Sequence, residues 1–546
     1  MADRGSASAF GDLDRLAERA QTLAGAWGAR ARASTTVGQE RAILRLFGVS
    51  GLDRAGRPLA GAAVDRWLST AQDGLGGGIA LPFAMALLEY DLEPQQLAMD
   101  VASGAVDLAL EAELLRESDR RAVAEAEATR LVGVALERID ANRVARRELQ
   151  DLLGEATRPW LGTTLAEPDL DGALDEVAEL AMAGYDLLRV EVPIGRELAD
   201  RLHDAGRDAP EWHPHDRSGR GVARRAASAD LEEGDPAPTG SQRALSRLRR
   251  VADGVAAERR AYVRLATAIP PLGVPEGAVV AAFERVDMVE ADPMAEVVVG
   301  GVDPDRSLAD HAFARRFHRR SDTLVSIGPG PLVVAPDFAS GVPAGVATRS
   351  GRALALQLVG VALARADGIA ADRIVVGAYP AWLADEPSGN ARILGEVAVR
   401  RALFAEHLLR FDEPGGPGGP GGPGGDSAAV VAWPFVAAAV LARTGGESLV
   451  MRRSHTDGRR AAGEARAAAT VAGELSLVSP AGPLGGVAAE HASVMVVAAL
   501  ATLDRLADLG WRAVVGDGPA AGGLRALGGD AVADRTEAFD PLGALG

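Results

Sequence analysis

The feature that most limits the fold is an alternation that begins near residue 156, where short apolar runs trade places with segments of helical periodicity. Trp160–Leu165, Asp186–Ile194, Tyr262–Ile269, Val286–Ala291, Thr323–Ile327 and Arg373–Ala378 read as strands. Leu170–Ala183, Ser241–Arg260, Ser307–Phe317 and Ser350–Ala366 carry apolar residues at helical spacing between them. A strand–helix–strand connection returns the chain to the same end of a sheet, so neighbouring strands run parallel. So many units in one stretch fit an α/β fold of the TIM-like (β/α)8 barrel type better than a small open sheet.

Around this core the texture differs. Residues 1–150 read as an N-terminal helical region: Leu13, Leu16, Ala20 and Leu23 line one helix face, and Val123–Leu149 is a charged, alanine-rich helical stretch. Gly48, Gly51, Gly56, Pro58 and the run Gly74–Gly78 mark loops. The barrel core is expected over 151–413, interrupted by an irregular insert at 203–240 rich in charge, proline and glycine. Residues 414–425, PGGPGGPGGPGG, offer no side chains from which to build a core and read as a linker. The remainder, 426–546, is expected to complete the barrel and end in a helical tail, with Gly522–Gly546 loosely ordered.

Composition excludes several function classes. With 58 basic against 76 acidic residues the formal charge is −18, and an acidic surface repels phosphate backbones, so no nucleic-acid partner is expected. The absence of cysteine removes disulfides, thiolate nucleophiles and Cys-type zinc sites. Every basic residue other than histidine is arginine, so no side chain can form a Schiff base with a carbonyl compound. The first twenty residues mix acids and bases without an apolar stretch, unlike a signal peptide. The most membrane-like run, Ala428–Ala442, is too short to span and contains Pro434. A cytoplasmic protein with no membrane partner is expected.

Few short motifs point to chemistry. His213-Pro-His215 has the spacing of a metal pair but follows Pro210 inside the irregular insert, which favours a solvated loop and no metal site. His311 and His318, among Arg315, Arg316, Arg319 and Arg320, read as a basic helical face, with an anion grip as the alternative. Gly328-Pro329-Gly330-Pro331 follows a strand and reads as a rigid turn, because its prolines lack the N–H groups that a phosphate cradle needs. Asp303 to Arg306, DPDR, reads as a helix cap, and Glu284, Arg285 and Asp287 as a structural ion-pair set. No catalytic residue is identified by these motifs.

Longer stretches carry more. TTVGQERAILRLFGVSGLDRAGRPLAGAAVD at Thr35–Asp65, LERIDANRVARR at Leu136–Arg147, the RL, PE, ERVDM and RSLADHAF elements within Tyr262–Phe317, and Phe539-Asp540-Pro541 together resemble the large (α) subunit of lysine 5,6-aminomutase. The resemblance implies a helical N-terminal region on a TIM-like barrel. It also implies a smaller partner subunit that carries adenosylcobalamin through a D-x-H-x-x-G signature and supplies the lysine that holds pyridoxal phosphate. This chain has neither that signature nor a lysine, which is consistent with the large-subunit role.

The resemblance also locates a pyridoxal pocket, and there the residue types have changed. Matching through DLLRVEVPIGREL places Val192 at the family's Arg and Glu197 at its Ser after the second barrel strand. Pro270 falls at the Ser after the third strand, and Ala295 and Gly300 fall at the Tyr and Arg after the fourth. The substrate-contact region after the fifth strand falls near Gly330 and Pro331. Val192 and Gly300 remove two positive charges and Glu197 adds a negative one. At roughly 1.5–3 kcal/mol for each charge-assisted hydrogen bond, losing several costs about a thousandfold or more in phosphate affinity. Arg189 and Arg196 lie close enough to replace the lost arginines; strand alternation is expected to turn Arg189 away, which leaves Arg196 as the substitute contact. The residues therefore suggest a large-subunit-like component of an adenosylcobalamin-dependent aminomutase with a diverged pyridoxal pocket. A non-catalytic partner-binding barrel and a pyridoxal-independent cobalamin mutase are the alternatives.

Overall fold

The computed structural model describes residues 4–71, 74–156, 158–165, 170–191, 239–299, 302–330, 345–380, 382–383, 386, 388–412, 448–452, 483–511, 532–534, 539–540 and 543. Ten strands are described: β1 (Ser34–Thr36), β2 (Trp160–Thr164), β3 (Leu187–Glu191), β4 (Arg264–Ala268), β5 (Met288–Glu290), β6 (Leu324–Ile327), β7 (Ile374–Gly377), β8 (Leu408–Asp412), β9 (Ser448–Arg452) and β10 (Val532–Asp534). β2 to β9 pair in parallel and in sequence order, and the sheet closes where Trp160 of β2 lies opposite Leu449 of β9. This is the closed eight-stranded barrel that the alternation of strands and helices calls for.

Period-two alternation sorts the strand residues into two cores. Trp160, Leu187, Ala266, Met288, Leu324, Val375, Leu408, Leu449 and Met451 form the apolar interior of the barrel. Their neighbours Leu161, Leu188, Leu265, Val289, Val325, Val376 and Leu409 face outward into a larger core shared with the helices. Gly162 sits on the inner face, where a Cβ would lie 2.3 Å from the sulfur of Met451, so only glycine lets the side chains of β9 cross the barrel there.

The N-terminal helices wrap one side. Thr36 accepts a hydrogen bond from the Gln39 amide at 3.1 Å and starts the helix Val37–Leu46, and Asp107 caps Leu108–Leu114 in the same way. The helix Ser118–Leu153 packs against Ala80–Tyr90, Val274–Phe283 and Pro304–Ser321, fastening this region to the barrel. Arg146 anchors it by donating to the Val286 and Ser321 carbonyls at 2.8 and 2.7 Å while pairing with Asp287 at 3.1 Å.

Two expectations need correction. Gly522–Gly546 is not uniformly loose: Val532–Asp534 pairs antiparallel with Ser34–Thr36, and Asp540 makes a two-pronged pair with Arg316 at 2.9 Å. Its fixed residues are held by partners hundreds of positions away, which local composition does not reveal. The irregular insert also ends earlier than residue 240, because the helix Thr239–Arg259 has begun by then. Within Pro483–Leu509, the stretch Gly486–Leu509 is long and apolar enough to cross a membrane by length and composition. In the fold it packs against Arg4–Arg32, Val346–Ala366 and Gly389–Leu403, with Met495, Ala499, Leu503 and Leu506 buried. The run Ala428–Ala442 and the linker lie outside the described residues.

Candidate functional site at the barrel mouth

The C-terminal ends of the barrel strands bring together charged side chains that lie far apart in sequence. Glu290 at the end of β5 takes Arg189 Nε of β3 at 2.9 Å on one oxygen and Arg410 Nη1 of β8 at 2.6 Å on the other. Arg410 also donates to Ser326 Oγ at 3.0 Å and, through Nε, to Asp412 at 2.9 Å. Arg189 reaches Thr164 Oγ1 at 3.5 Å. Because these pairs join non-adjacent strands, the side chains must cross the barrel interior, one layer above Leu187, Met288, Leu324 and Leu408. They are between 16% and 23% exposed.

Electrostatics fixes the protonation of this layer. Burial alone pushes the Glu290 pKa up, but the Arg189 and Arg410 guanidiniums outweigh it and hold the carboxyl down to about 2. Burial likewise pulls the Arg410 pKa down, and Asp412 and Glu290 more than restore it, so it lies above its ordinary value. The mouth therefore presents two cations and two anions in ordered pairs, an arrangement suited to orienting a small polar or zwitterionic molecule over an apolar floor.

A second, largely buried network props the mouth from outside. Gln357 donates to the carbonyls of Gly328 at 2.7 Å and Gly377 at 2.9 Å, and its own oxygen accepts from Arg400 Nε at 2.7 Å. Arg400 also donates to the Pro329 carbonyl at 2.9 Å and pairs with Glu396, whose other oxygen meets His491 Nε2 at 2.8 Å. The loop after β6 and the end of β7 are thus tied to the helix Pro483–Leu509. Close approach demands glycine: a Cβ on Gly377 would lie 2.5 Å from the Pro329 nitrogen, and one on Gly330 would overlap the Ala353 carbonyl. The described part of the Gly-Pro segment is accordingly a structural turn, its Gly328 and Pro329 carbonyls held by Gln357 and Arg400 and its Gly328 amide by Asp292.

Sequence-derived positions fare unequally. Val192, Arg196, Glu197, Gly300 and the pair His213 and His215 lie outside the described residues. Pro270 lies two residues past β4, where its carbonyl accepts from Gly273 at 3.1 Å, and Ala295 lies in the helix Pro293–Val298 after β5; both are half-buried. Arg189 does not turn away. Leu188 and Val190 face the helices, which puts Arg189 in phase with the interior residue Leu187. Tested as a grip for pyridoxal phosphate, the described mouth residues do not fit: Pro270 and Ala295 have no side-chain donor, and the Arg189 and Arg410 guanidiniums are engaged by carboxylates.

His311 and His318 do not form a solvated basic face. Both are buried in Pro304–Ser321, which lies between Arg4–Arg32 and Val274–Phe283. His311 contacts Glu296 at 2.9 Å, and burial drives the His318 pKa down to about 3, leaving it neutral. Asp303 caps this helix through the Asp305 and Arg306 amides at 3.0 and 3.1 Å. Glu284 pairs with Arg138, Arg285 with Asp253, and Asp287 with Arg146 and Arg249, a structural set as expected. No short motif marks Glu290, Ser326, Arg410 or Asp412. Their signal is parity: each is a polar residue in the middle or C-terminal half of a strand, in phase with the inward apolar residue of that strand.

The sequence matches the family model of the D-lysine 5,6-aminomutase TIM-barrel domain of the alpha subunit over residues 11–204 and 232–415. The chain belongs to this family. It is similar to the lysine 5,6-aminomutase alpha subunit of Acetoanaerobium sticklandii, at 25% identity over 304 residues, which covers 56% of this chain and 52% of that protein. It is also similar to the alpha subunit of Fusobacterium nucleatum, at 24% over 306 residues, covering 56% and 53%. The chain spans about half the length of the curated relatives it matches. Family membership accounts for the helical region, which the match includes from residue 11, as well as for the barrel.

Proposed function

We propose that this chain is the large, barrel-bearing component of an adenosylcobalamin-dependent mutase related to lysine 5,6-aminomutase, with a diverged pyridoxal pocket. The observation that carries the reading is the mouth layer Arg189–Glu290–Arg410–Asp412, set at the strand ends where barrel enzymes place their chemistry. In this reading a smaller partner subunit brings the cobalamin, which supplies the radical chemistry. The barrel binds the substrate and excludes water. Glu290 and Asp412 meet a cationic group, Arg189 and Arg410 meet an anionic one, and the apolar interior below keeps the reacting carbon dry.

A non-catalytic barrel is the second reading, and one observation favours it: both mouth arginines already have carboxylate partners within the chain. The two separate in an absorbance titration of the chain co-purified with its candidate small subunit. Saturable cobalamin binding without a pyridoxal band, together with isomerase turnover, supports the diverged mutase. A saturable pyridoxal band at micromolar concentration shows that the pocket has been rebuilt by other residues. A stable complex that takes up neither cofactor supports the non-catalytic reading.

A further inference from the structure

The opposite end of the barrel holds a cavity of about 370 Å³, beneath the side chains that floor the mouth. Trp160, Leu324 and Leu408 form its apolar wall, and five arginines, five carboxylates, Gln150 and His407 supply its polar groups, Arg264 and Arg401 among them. Strand starts in such barrels ordinarily serve stability, so a polar cavity there calls for a reason.

Arg264 supplies one. Its side chain is 2% exposed, and its guanidinium lies 3.7 Å from the centre of the Trp160 ring. Nη2 donates to Glu155 at 3.0 Å, whereas Nη1 is buried with no hydrogen-bond partner among the described residues. Both ring nitrogens of His407 are buried in the same condition. Leaving such donors unmet is costly, because each loses its water without a replacement. The surrounding carboxylates are engaged elsewhere. Asp287 is held by Arg146 and Arg249 at 3.1 and 3.0 Å, and Asp322 by Arg373 and Arg147 at 3.0 and 3.3 Å. Asp372 and Glu406 are exposed at the rim, and Arg401 donates to the Ala405 carbonyl at 3.4 Å. The carboxylates of the lining are thus paired with arginines or exposed, and among the described residues none accepts from Arg264 Nη1 or the His407 ring.

From this geometry we infer a binding site for a small oxyanion at the N-terminal end of the barrel, with Arg264 Nη1 and the His407 ring as its principal donors. The ligand chemistry is that of inorganic phosphate or of a carboxylate on a small apolar body lying against Leu324 and Leu408. Burial supports the role of His407, whose pKa is pushed down to about 4, so it enters as a neutral ring with one N–H to give. The site is separate from the mouth. Leu324 and Leu408 sit two residues below Ser326 and Arg410 on the same strands, so the two ends are divided by one layer of side chains.

The test uses the full chain in calorimetric titrations and thermal melts with sodium phosphate, sodium acetate and sodium chloride at matched ionic strength. Saturable binding of phosphate or acetate, with a melting temperature raised beyond the chloride control, is expected. Phosphate alone would identify a free phosphate site, and acetate a carboxylate site. His407→Leu, folded by circular dichroism, should weaken binding about tenfold or more, and Arg401→Gln should weaken it less. The mouth variant Arg189→Gln should leave it unchanged. Equal effects of all three salts, unchanged affinity in His407→Leu, or loss of binding in Arg189→Gln would each overturn the assignment.

Discussion

Glu290 and Arg410 meet at 2.6 Å across the barrel mouth, although they stand on β5 and β8, three strands apart around the barrel and 120 residues apart in the chain. Their contact orders the mouth, because the same carboxylate also fixes Arg189. Removing the acid would leave two arginines facing each other in a half-closed space.

Glu290→Gln is expected to lower stability near pH 7 by about 2–3 kcal/mol, through the loss of two charge-assisted bonds. The acid titrates at about 2 in the fold against an ordinary 4.5, so its contribution is complete above 4.5 and disappears as the pH falls toward 2. Urea melts of both proteins at pH 7, 4 and 3 should show their difference shrinking with acid. A constant difference would contradict the assignment.

Asp310 reverses that sign. Burial outweighs the nearby Arg306 and the hydroxyl of Thr36, and lifts its pKa from 3.8 to about 7. The folded state therefore keeps a proton that the unfolded chain gives up, and stability declines as pH rises through that interval, by about 2–4 kcal/mol. Asp310→Asn retains the acceptor for Thr36 and should flatten the decline. Thermal melts every half unit between pH 4.5 and 7.5 measure the slope directly.

His318 is buried, neutral at physiological pH and, among the described residues, without a partner for either ring nitrogen. Exchanging it for an apolar side chain removes an unmet desolvation cost, so His318→Leu should stabilise the fold by about 1 kcal/mol near pH 7. Below pH 6 the gain should widen, because the unfolded imidazole gains a proton that the folded one, with its pKa near 3, refuses. A destabilised variant at pH 5.5 would show that the ring has a partner.

Gln357→Leu tests the outer support of the mouth. It strands the Gly328 and Gly377 carbonyls and removes an acceptor from buried Arg400, at an expected cost of about 3–5 kcal/mol. Hydrogen exchange should rise first in β6, in β7 and in Pro483–Leu509, ahead of the helical N-terminus. Uniform exchange across the chain would mean that the network does not tie those elements together.

Much of this fold is legible in the residues. Leu187, Met288, Leu324 and Leu408 keep strict alternation with outward neighbours, and Asp303 and Thr36 announce their helix starts through local hydrogen bonds. The resemblance at Thr35–Asp65 and Tyr262–Phe317 led to the family, because such stretches keep their pattern when single positions drift. The mouth was less legible. Arg189 and Arg410 are two arginines among many in the sequence, and nothing beside either names Glu290 as the shared partner.

The sequence by itself determined the class of fold, because period-two and helical patterns are properties of neighbouring residues. Only the tertiary structure decided which polar residues face one another. Barrel closure pairs β2 with β9 and sets strand ends from distant parts of the chain around one opening, where their charges meet and fix each other's protonation. The same closure leaves Arg264 Nη1 without an acceptor among the described residues at the other end. Contacts of that kind follow from strand register and barrel geometry, which no local pattern encodes.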